Sequence, residues 1–264
     1  ITENSTLKPE SYYGFTKLKI EELKRISRDL RIDVLKMVHS SREGHLGGAF
    51  SAMELVTALY FHALRVNPDK PDRRERDRFI MSKGHACYAQ YAALARRGFF
   101  PAEKLDTTKD CGSIFGGHPD RKMVPGIDVS TGSLGHGLPI GCGLALAGRR
   151  DKLDYRTFVL MGDGECQEGS VWEAAMFAAA NKLDNLIALI DANCLQAIEC
   201  TDNILPMEPF PDKFRAFGWS AVEIDGHDMA QIVETLDSLP PEPGKPTAVI
   251  ARTIKGRGIS FMEN

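Results

Sequence analysis

Residues 162–196 read GDGECQEGSVWEAAMFAAANKLDNLIALIDANCLQ, and the prediction of the fold rests on them. An apolar run over 155–161 precedes this stretch, a helical pattern follows its first turn, and a second apolar run covers 186–191. The order predicts a strand, a helix and a second strand parallel to the first, as in an α/β sheet. Asp163 and Asn193 would then lie at the carboxyl ends of the two strands, the edge at which open α/β sheets bind ligands.

The residue types at this edge predict an anchor for a metal ion and a phosphate group. Asp163 and Asn193 offer hard oxygen atoms, which suit magnesium or calcium. Gly162 and Gly164 lack side chains where a phosphate group must approach backbone N–H groups near a helix N-terminus. An ordinary βαβ unit with a tight turn is the alternative, because a single GDG triplet is common. The other motifs of the chain decide between these two interpretations.

Composition and charge narrow the class of protein. The 264 residues are 43% hydrophobic, enough for the core of one large α/β domain. The net charge of −3 and the lack of a Lys/Arg run give no basic surface for nucleic acid. No apolar stretch approaches the ~20 residues that span a bilayer, and the first residues show no signal pattern. The 6 cysteines lack pairing or metal-ligand spacing, so we expect a cytoplasmic protein with reduced thiols and no membrane partner.

The remaining pattern predicts one domain preceded by an arm. Residues 1–15 are polar and contain proline and glycine, which predicts an N-terminal arm, and residues 16–264 form the domain. Apolar positions at helical spacing predict a long helix over 16–41, followed by a loop over 44–48. The aperiodic stretch 107–134 is too long for a simple connection, so we expect it to be functional. Further strands are predicted over 78–82, 220–225 and 247–253, and further helices over 135–146 and 228–239.

Several motifs together resemble those of one enzyme family. The ordered set GDG, EA, NLI and DxN resembles the thiamine diphosphate signature, and the contexts of the histidines narrow the resemblance to the transketolase family. These contexts read EGHLGG over 43–48, MSKGHA over 81–86, FGGHP over 115–119, TGSLGHG over 131–137 and TIKGRG over 253–258. From about Leu18 onwards the chain is similar to the amino-terminal half of a transketolase. The resemblance implies a three-layer αβα thiamine-diphosphate-binding fold with a mostly parallel central sheet.

The resemblance also implies which residues bind thiamine diphosphate and its metal ion. Magnesium, which calcium or manganese can replace, would be bound by the side chains of Asp163 and Asn193 and by the main-chain carbonyl of Leu195. Gly164 would donate its N–H to the diphosphate, and Lys255 would lie nearby as a cation, although a surface lysine is the alternative. The other cofactor-binding residues implied by the resemblance are His85, Gly132, Ser133, Leu134, Gly162 and Glu168.

Glu168, two departures from the family pattern and His227 leave questions open. Glu168 resembles a glutamate of an acidic cluster that links paired active sites, but acidic residues are favoured in the first turn of any helix. His136 stands where the family commonly has Gln, and the sequence over 195–200 differs from the common pattern. His227, within DGHD over 225–228, is assigned to a turn or helix cap.

The reaction that the resemblance implies is transfer of a two-carbon ketol unit from a ketose or ketose phosphate to an aldose or aldose phosphate. Sugar hydroxyls need proton carriers that act near neutral pH, which suits histidine. By resemblance, His45 transfers protons with substrate hydroxyls, His118 hydrogen-bonds the end of the donor, and His85 contacts the cofactor. A single histidine is more often structural, but three in family-matched contexts favour catalysis.

A complete transketolase has a second domain, which binds the pyrimidine ring of the cofactor and is not found in this sequence. The family includes split versions, so the expected partner is a C-terminal transketolase subunit, in a heterotetramer with two copies of each chain that acts on sugar phosphates. Specialisation for an apiose-derived or sulfonated ketose is one alternative. The others are the alpha chain of a 2-oxo-acid dehydrogenase, deoxyxylulose phosphate synthase, and a non-catalytic scaffold subunit.

Overall fold

A parallel sheet forms the centre of the structure, a computed structural model that describes residues 9–197 and 199–263. Its strands in chain order are β1 (Arg78–Met81), β2 (Thr157–Gly162), β3 (Leu186–Ala192), β4 (Leu195–Gln196), β5 (Glu199–Cys200), β6 (Ser220–Asp225) and β7 (Thr247–Arg252). The central sheet has the order β1-β2-β3-β7-β6 with parallel neighbours throughout, and β4 and β5 form a separate antiparallel hairpin.

Helices cover both faces of the sheet. They are α1 (Pro9–Ser41), α2 (Leu46–Ser51), α3 (Met53–Ala58), α4 (Cys87–Arg96), α5 (Gly137–Arg150), α6 (Gly169–Ala180), α7 (Thr201–Ile204), α8 (Phe210–Ala216) and α9 (Met229–Asp237). Helices α1, α3, α4 and α9 pack on one face, and α5, α6 and α8 pack on the other. This arrangement confirms the predicted three-layer αβα fold. Among the described helices, none is long and apolar enough to cross a membrane.

Strands β2 and β3 are almost entirely apolar because both of their faces are covered. In β2, Phe158 and Leu160 pack with the layer that contains α1, whereas Val159 and Met161 pack with the layer that contains α5. All four side chains are fully buried. Continuous apolar runs are typical of strands buried on both faces, which is why the sequence predicted β2 and β3 correctly.

Two predicted boundaries differ from the structure. Helix α1 begins at Pro9, so residues 9–15 of the predicted arm are helical, and residues 1–8 lie outside the described residues. Proline is tolerated in the first turn of a helix because its missing N–H would have no partner there. The predicted loop over 44–48 ends early, because α2 begins at Leu46. Gly48 lies inside α2, where an added Cβ would come within 3.2 Å of the His85 ring, so this glycine allows close packing.

The parallel order brings the carboxyl ends of four strands to the same edge of the sheet. Ser82 follows β1, Asp163 follows β2, Asn193 follows β3 and Thr253 follows β7. Segments that are far apart in the sequence therefore meet along one line. This edge is where open α/β sheets bind ligands.

Two glycines of α5 test the packing of this helix on the sheet. A Cβ at Gly141 would lie 2.6 Å from Cγ2 of Val159, a buried β-branched side chain with little freedom to move. We expect Gly141→Ala to lower the free energy of unfolding by about 1–3 kcal/mol, measured by urea denaturation. An added Cβ at Gly143 meets no atom within 4 Å, so Gly143→Ala is the matched control. It should raise that free energy by up to about 1 kcal/mol through helix propensity. Equal effects would contradict the close contact between α5 and β2.

Candidate active site

Asp163 is fixed between the ends of the two central strands. It directly follows β2, and its carboxylate is buried. One oxygen accepts the N–H of Gly164 at 2.8 Å, and the other accepts the N–H of Cys194 at 2.5 Å. Burial, with a contribution from the charge of Asp191, raises the pKa of Asp163 to about 6. A cation beside this carboxylate would stabilise its ionised form.

Asn193 and Leu195 bring two further oxygen donors to the same place. Asn193 is 8% exposed, and its amide oxygen accepts the N–H of Leu195 at 3.1 Å. Both residues line a cavity of about 280 Å³ together with Asp163. In the described part of the chain, no group of three His, Cys, Asp or Glu side chains could hold a metal ion. One carboxylate, one amide and one carbonyl fit a hard cation whose remaining ligands come from phosphate oxygens and water.

The cavity brings together eight of the predicted site residues. They are His85, Leu134, Gly162, Asp163, Gly164, Asn193, Leu195 and Lys255. Other predicted residues are not part of its lining: His45, His118, Gly132, Ser133 and Glu168. A larger groove of about 850 Å³ lies between α5 and residues 121–130, and no predicted site residue lines it. The predicted residues that line a cavity therefore meet at the smaller cavity and not at the larger groove.

The two glycines of the GDG turn have different roles. A Cβ at Gly164 would lie 2.7 Å from Oε1 of Gln196, so the hairpin of β4 and β5 leaves no room for a side chain there. A Cβ at Gly162 would meet no atom within 4 Å. Gly164 is therefore required by packing, whereas Gly162 leaves open space beside Asp163 for a ligand.

The three predicted histidines lie close together beside the cavity. The rings of His45 and His85 are 5.7 Å apart between centroids, in an edge-to-face arrangement. The ring of His118 lies against Gly132, where an added Cβ would come within 3.1 Å. Burial, followed by the charge of Lys83 and then the neighbouring histidines and Lys255, lowers the pKa of His85 to about 3. His85 is therefore neutral near pH 7, so it can both accept and donate a hydrogen bond.

Lys83 and Asp191 form a buried ion pair next to the cavity, to which sequence reasoning gave no role. Asp191 ends the apolar run of β3 and is fully buried. It accepts hydrogen bonds from Lys83, from Ser51 at 2.6 Å and from Thr253. The Lys83 charge, against the opposing effect of burial, keeps the pKa of Asp191 low. The sequence did contain a signal for this pair: Asp191 is an acidic residue inside an apolar run, and Lys83 follows another predicted strand.

Glu165 is a second site residue that sequence reasoning missed. Its carboxylate is buried, lines the cavity, and accepts hydrogen bonds from Ser82, from Gly135 N–H at 3.0 Å and from Gly162 N–H at 3.1 Å. It therefore ties the exit of β1 and the TGSLGHG turn to the end of β2. Glu168, which was predicted instead, is exposed at the start of α6, and its role between paired sites stays a prediction.

Lys255 lies in the segment that follows β7 and is part of the cavity lining. Its aliphatic stem packs on α2, where a Cβ at Gly47 would come within 3.0 Å. Burial and the nearby charge of Lys83 lower its pKa. A cation held at a cavity in this way favours an anionic ligand.

Comparison with known proteins agrees with this geometry. Residues 22–264 match the family described as "Transketolase, thiamine diphosphate binding domain". The chain is 46% identical over 246 residues to a subunit of the apulose-4-phosphate transketolase of Phocaeicola vulgatus, covering 93% of this chain and 87% of that one. It is also 46% identical over 220 residues to a subunit of the 6-deoxy-6-sulfo-D-fructose transketolase of a Clostridium species, covering 83% and 80%.

Longer relatives match over part of their length. The chain is 39% identical to human transketolase over 256 residues, which is 97% of this chain and 40% of the human protein. Transketolase from Leishmania mexicana superposes with a TM-score of 0.85 at 29% identity, covering 90% of this chain and 37% of that one. The chain therefore belongs to the transketolase family and contains the family's thiamine diphosphate binding domain.

The buried ion pair is tested by removing one or both charges. Replacing Lys83 with Met leaves the Asp191 carboxylate buried without its cation, so we expect the free energy of unfolding near neutral pH to fall by about 3–5 kcal/mol. Urea denaturation measures this change. In the control, Lys83→Met with Asp191→Asn, neither charge remains, and part of the lost stability should return. A double variant no more stable than the single variant would argue against the ion pair.

The lowered pKa of His85 predicts how the stability of the protein depends on pH. Below the usual histidine pKa of about 6.5 the unfolded chain binds a proton that the buried ring does not bind, because its pKa is lowered to about 3. Stability therefore falls as the pH drops through this window. In His85→Gln the slope between about pH 6 and pH 4 should be smaller, by up to about 1.4 kcal/mol per pH unit. Urea denaturation across this range checks it, and equal slopes would exclude a neutral buried His85.

Proposed function

We propose that this chain is the cofactor-binding subunit of a two-chain transketolase. With thiamine diphosphate and magnesium, the assembled enzyme transfers a two-carbon ketol unit from a ketose, or ketose phosphate, to an aldose or aldose phosphate. The observation that carries the proposal is the meeting of Asp163 and Asn193 in one cavity, at the ends of neighbouring parallel strands. The two relatives named as transketolase subunits support it with 46% identity each.

The donor set in the cavity fits magnesium that is shared with a diphosphate. The carboxylate of Asp163, the amide oxygen of Asn193 and the carbonyl of Leu195 supply three protein ligands. Magnesium prefers six oxygens, so diphosphate and water would complete the shell, and calcium or manganese could replace it. The N–H of Gly164, at the start of the short 3-10 helix Gly164–Gln167, donates to Asp163 in this structure and would have to donate to the diphosphate once the cofactor binds. Lys255 would balance the remaining negative charge.

The histidines give this chain its part in the chemistry. Thiamine diphosphate, when bound, supplies the carbanion chemistry that side chains cannot perform. His45 and His118 would exchange protons with substrate hydroxyls and hydrogen-bond the donor sugar, and a neutral His85 would hydrogen-bond the cofactor without adding charge. Burial also lowers the pKa of His118, which keeps that ring in a proton-accepting form.

The relatives and one exposed helix support the need for a partner. The two relatives at 46% identity are named as subunits of transketolases. We infer a C-terminal subunit that supplies the pyrimidine-binding domain, in a heterotetramer located in the cytoplasm. Helix α6 exposes Met176 by 53% and Phe177 by 44%, next to Glu168 at its start, as expected of a face that meets another chain.

A specialised substrate is the second candidate. The two relatives at 46% identity are named for apulose 4-phosphate and for 6-deoxy-6-sulfo-D-fructose, whereas human transketolase is 39% identical. Both names describe ketoses with an anionic group. An activity panel of phosphorylated and sulfonated ketoses distinguishes this candidate from a transketolase of common sugar phosphates. The family match favours either over a 2-oxo-acid dehydrogenase chain.

The metal ligands provide the test of the proposal. In Asp163→Asn and Asn193→Ala, we expect the affinity for thiamine diphosphate with magnesium to fall by at least about 100-fold. Loss of a residue that only supports a metal ligand already weakens metal binding by about 10- to 100-fold, and loss of the ligand itself should cost more. Calorimetry measures binding, and ketol transfer is assayed with and without a candidate partner encoded beside this chain. Asp212→Asn, which changes an exposed carboxylate on α8, is the matched control. Unchanged cofactor affinity in Asp163→Asn would refute the metal anchor, and activity without a partner would refute the two-chain arrangement.

A further inference from the structure

His227 makes two side-chain hydrogen bonds that the predicted turn does not require. It lies between β6 and α9, and its main-chain N–H already donates to Asp225 at 2.8 Å to form the turn. Its Nδ1 lies 3.0 Å from a carboxylate oxygen of Glu54 in α3. Its Nε2 accepts the backbone N–H of Ile254 at 2.8 Å. The imidazole therefore connects α3 with the segment after β7.

These partners determine where the imidazole holds its proton. The backbone N–H of Ile254 can only donate, so Nε2 of His227 must be unprotonated. The proton of the neutral ring then lies on Nδ1 and is donated to Glu54. Burial alone would raise the pKa of Glu54, but hydrogen bonds from His227 and Arg31 lower it to about 2. Glu54 is therefore an ionised acceptor that selects this tautomer.

Arg31 holds the other end of the same segment. Its guanidinium contacts both oxygens of Glu54, at 2.7 and 2.8 Å, and its Nε donates to the carbonyl of Arg257 at 2.9 Å. Residues 254–257, the Lys255 segment, are thus held by His227 at the first residue and by Arg31 at the last. Gly256 adds a central contact, because its N–H donates to the carbonyl of Gly47 at 3.1 Å. Glu54 joins the two clamping side chains.

We propose that His227 is a positioning residue: its Nδ1-protonated ring clamps the Lys255 segment so that Lys255 lies at the cavity and strengthens binding of the cofactor's diphosphate. The part concerning the cofactor rests on the proposed function, whereas the clamp itself concerns this chain alone. His227 does not line the cavity, so it acts through Lys255 and not by contact with the ligand.

Two substitutions separate the two bonds of the ring. His227→Gln places a carbonyl oxygen where Nε2 was, so it can still accept the N–H of Ile254. His227→Asn places an amide N–H where Nδ1 was, so it can still donate to Glu54 but loses the acceptor for Ile254. Each variant removes one side-chain hydrogen bond, and a purely structural role predicts equal cofactor affinities of the two variants.

The proposal instead predicts that the two variants differ. With the candidate partner present, His227→Asn should weaken the affinity for thiamine diphosphate with magnesium by about tenfold, the effect of one lost hydrogen bond to the partly buried N–H of Ile254. His227→Gln should stay within about threefold of the wild type. Without cofactor, amide hydrogen exchange at Ile254 should be faster in His227→Asn only. Nitrogen-15 spectra of wild-type His227 should show the Nδ1-protonated neutral ring.

Lys255→Met shows whether His227 acts through Lys255. Once Lys255 is absent, adding His227→Asn should cause little further loss of affinity, because the two effects are not additive when one residue acts through the other. Additive losses, equal affinities of the Asn and Gln variants, unchanged exchange at Ile254 or an Nε2-protonated ring would each overturn the proposal. If the wild-type chain bound no thiamine diphosphate even together with its candidate partner, the proposed function would be refuted, and the exchange and nitrogen-15 results would still decide the clamp.

Discussion

The buried ion pair of Lys83 and Asp191 is the constraint on which the edge of the sheet depends. The Asp191 carboxylate has no access to water, so its charge and its acceptor capacity must be satisfied inside the protein. Lys83 after β1, Ser51 in α2 and Thr253 after β7 supply the partners. A single carboxylate thereby fixes four segments relative to one another, and the cavity is formed between them.

Around that fixed point, the site separates two kinds of chemistry. Oxygen donors and a glycine that leaves open space lie at the ends of β2 and β3, where a cation and a diphosphate fit. Histidines lie at and beside the same cavity, and burial and the nearby lysines keep His85 neutral. The oxygen donors therefore suit binding of charge, and the histidines suit exchange of protons with uncharged hydroxyl groups. Both sets of residues are brought to one edge of the sheet by the parallel order of the strands.

Local sequence predicted those features whose physics is local. Apolar runs predicted β2 and β3, because strands covered on both faces contain few polar residues. The GDG turn and Asn193 could be placed at the site because the ends of parallel strands share one edge. The start of α1 was predicted too late, because residues 9–15 are helical although their polar residues and Pro9 show no helical periodicity. Glu165 was missed for a related reason: its partners, Ser82 and Gly135, are distant in the sequence.

The sequence by itself determined the fold class and the family, and it predicted the oxygen donors of the proposed anchor, because these depend on residue type and on spacing along short segments. Only the tertiary structure decided which charges are paired and which residues support the site. The roles of Asp191, Glu54 and His227 come from hydrogen bonds between segments up to 173 residues apart. Such contacts depend on how helices and strands pack in space, and neither periodicity nor local motifs record that packing.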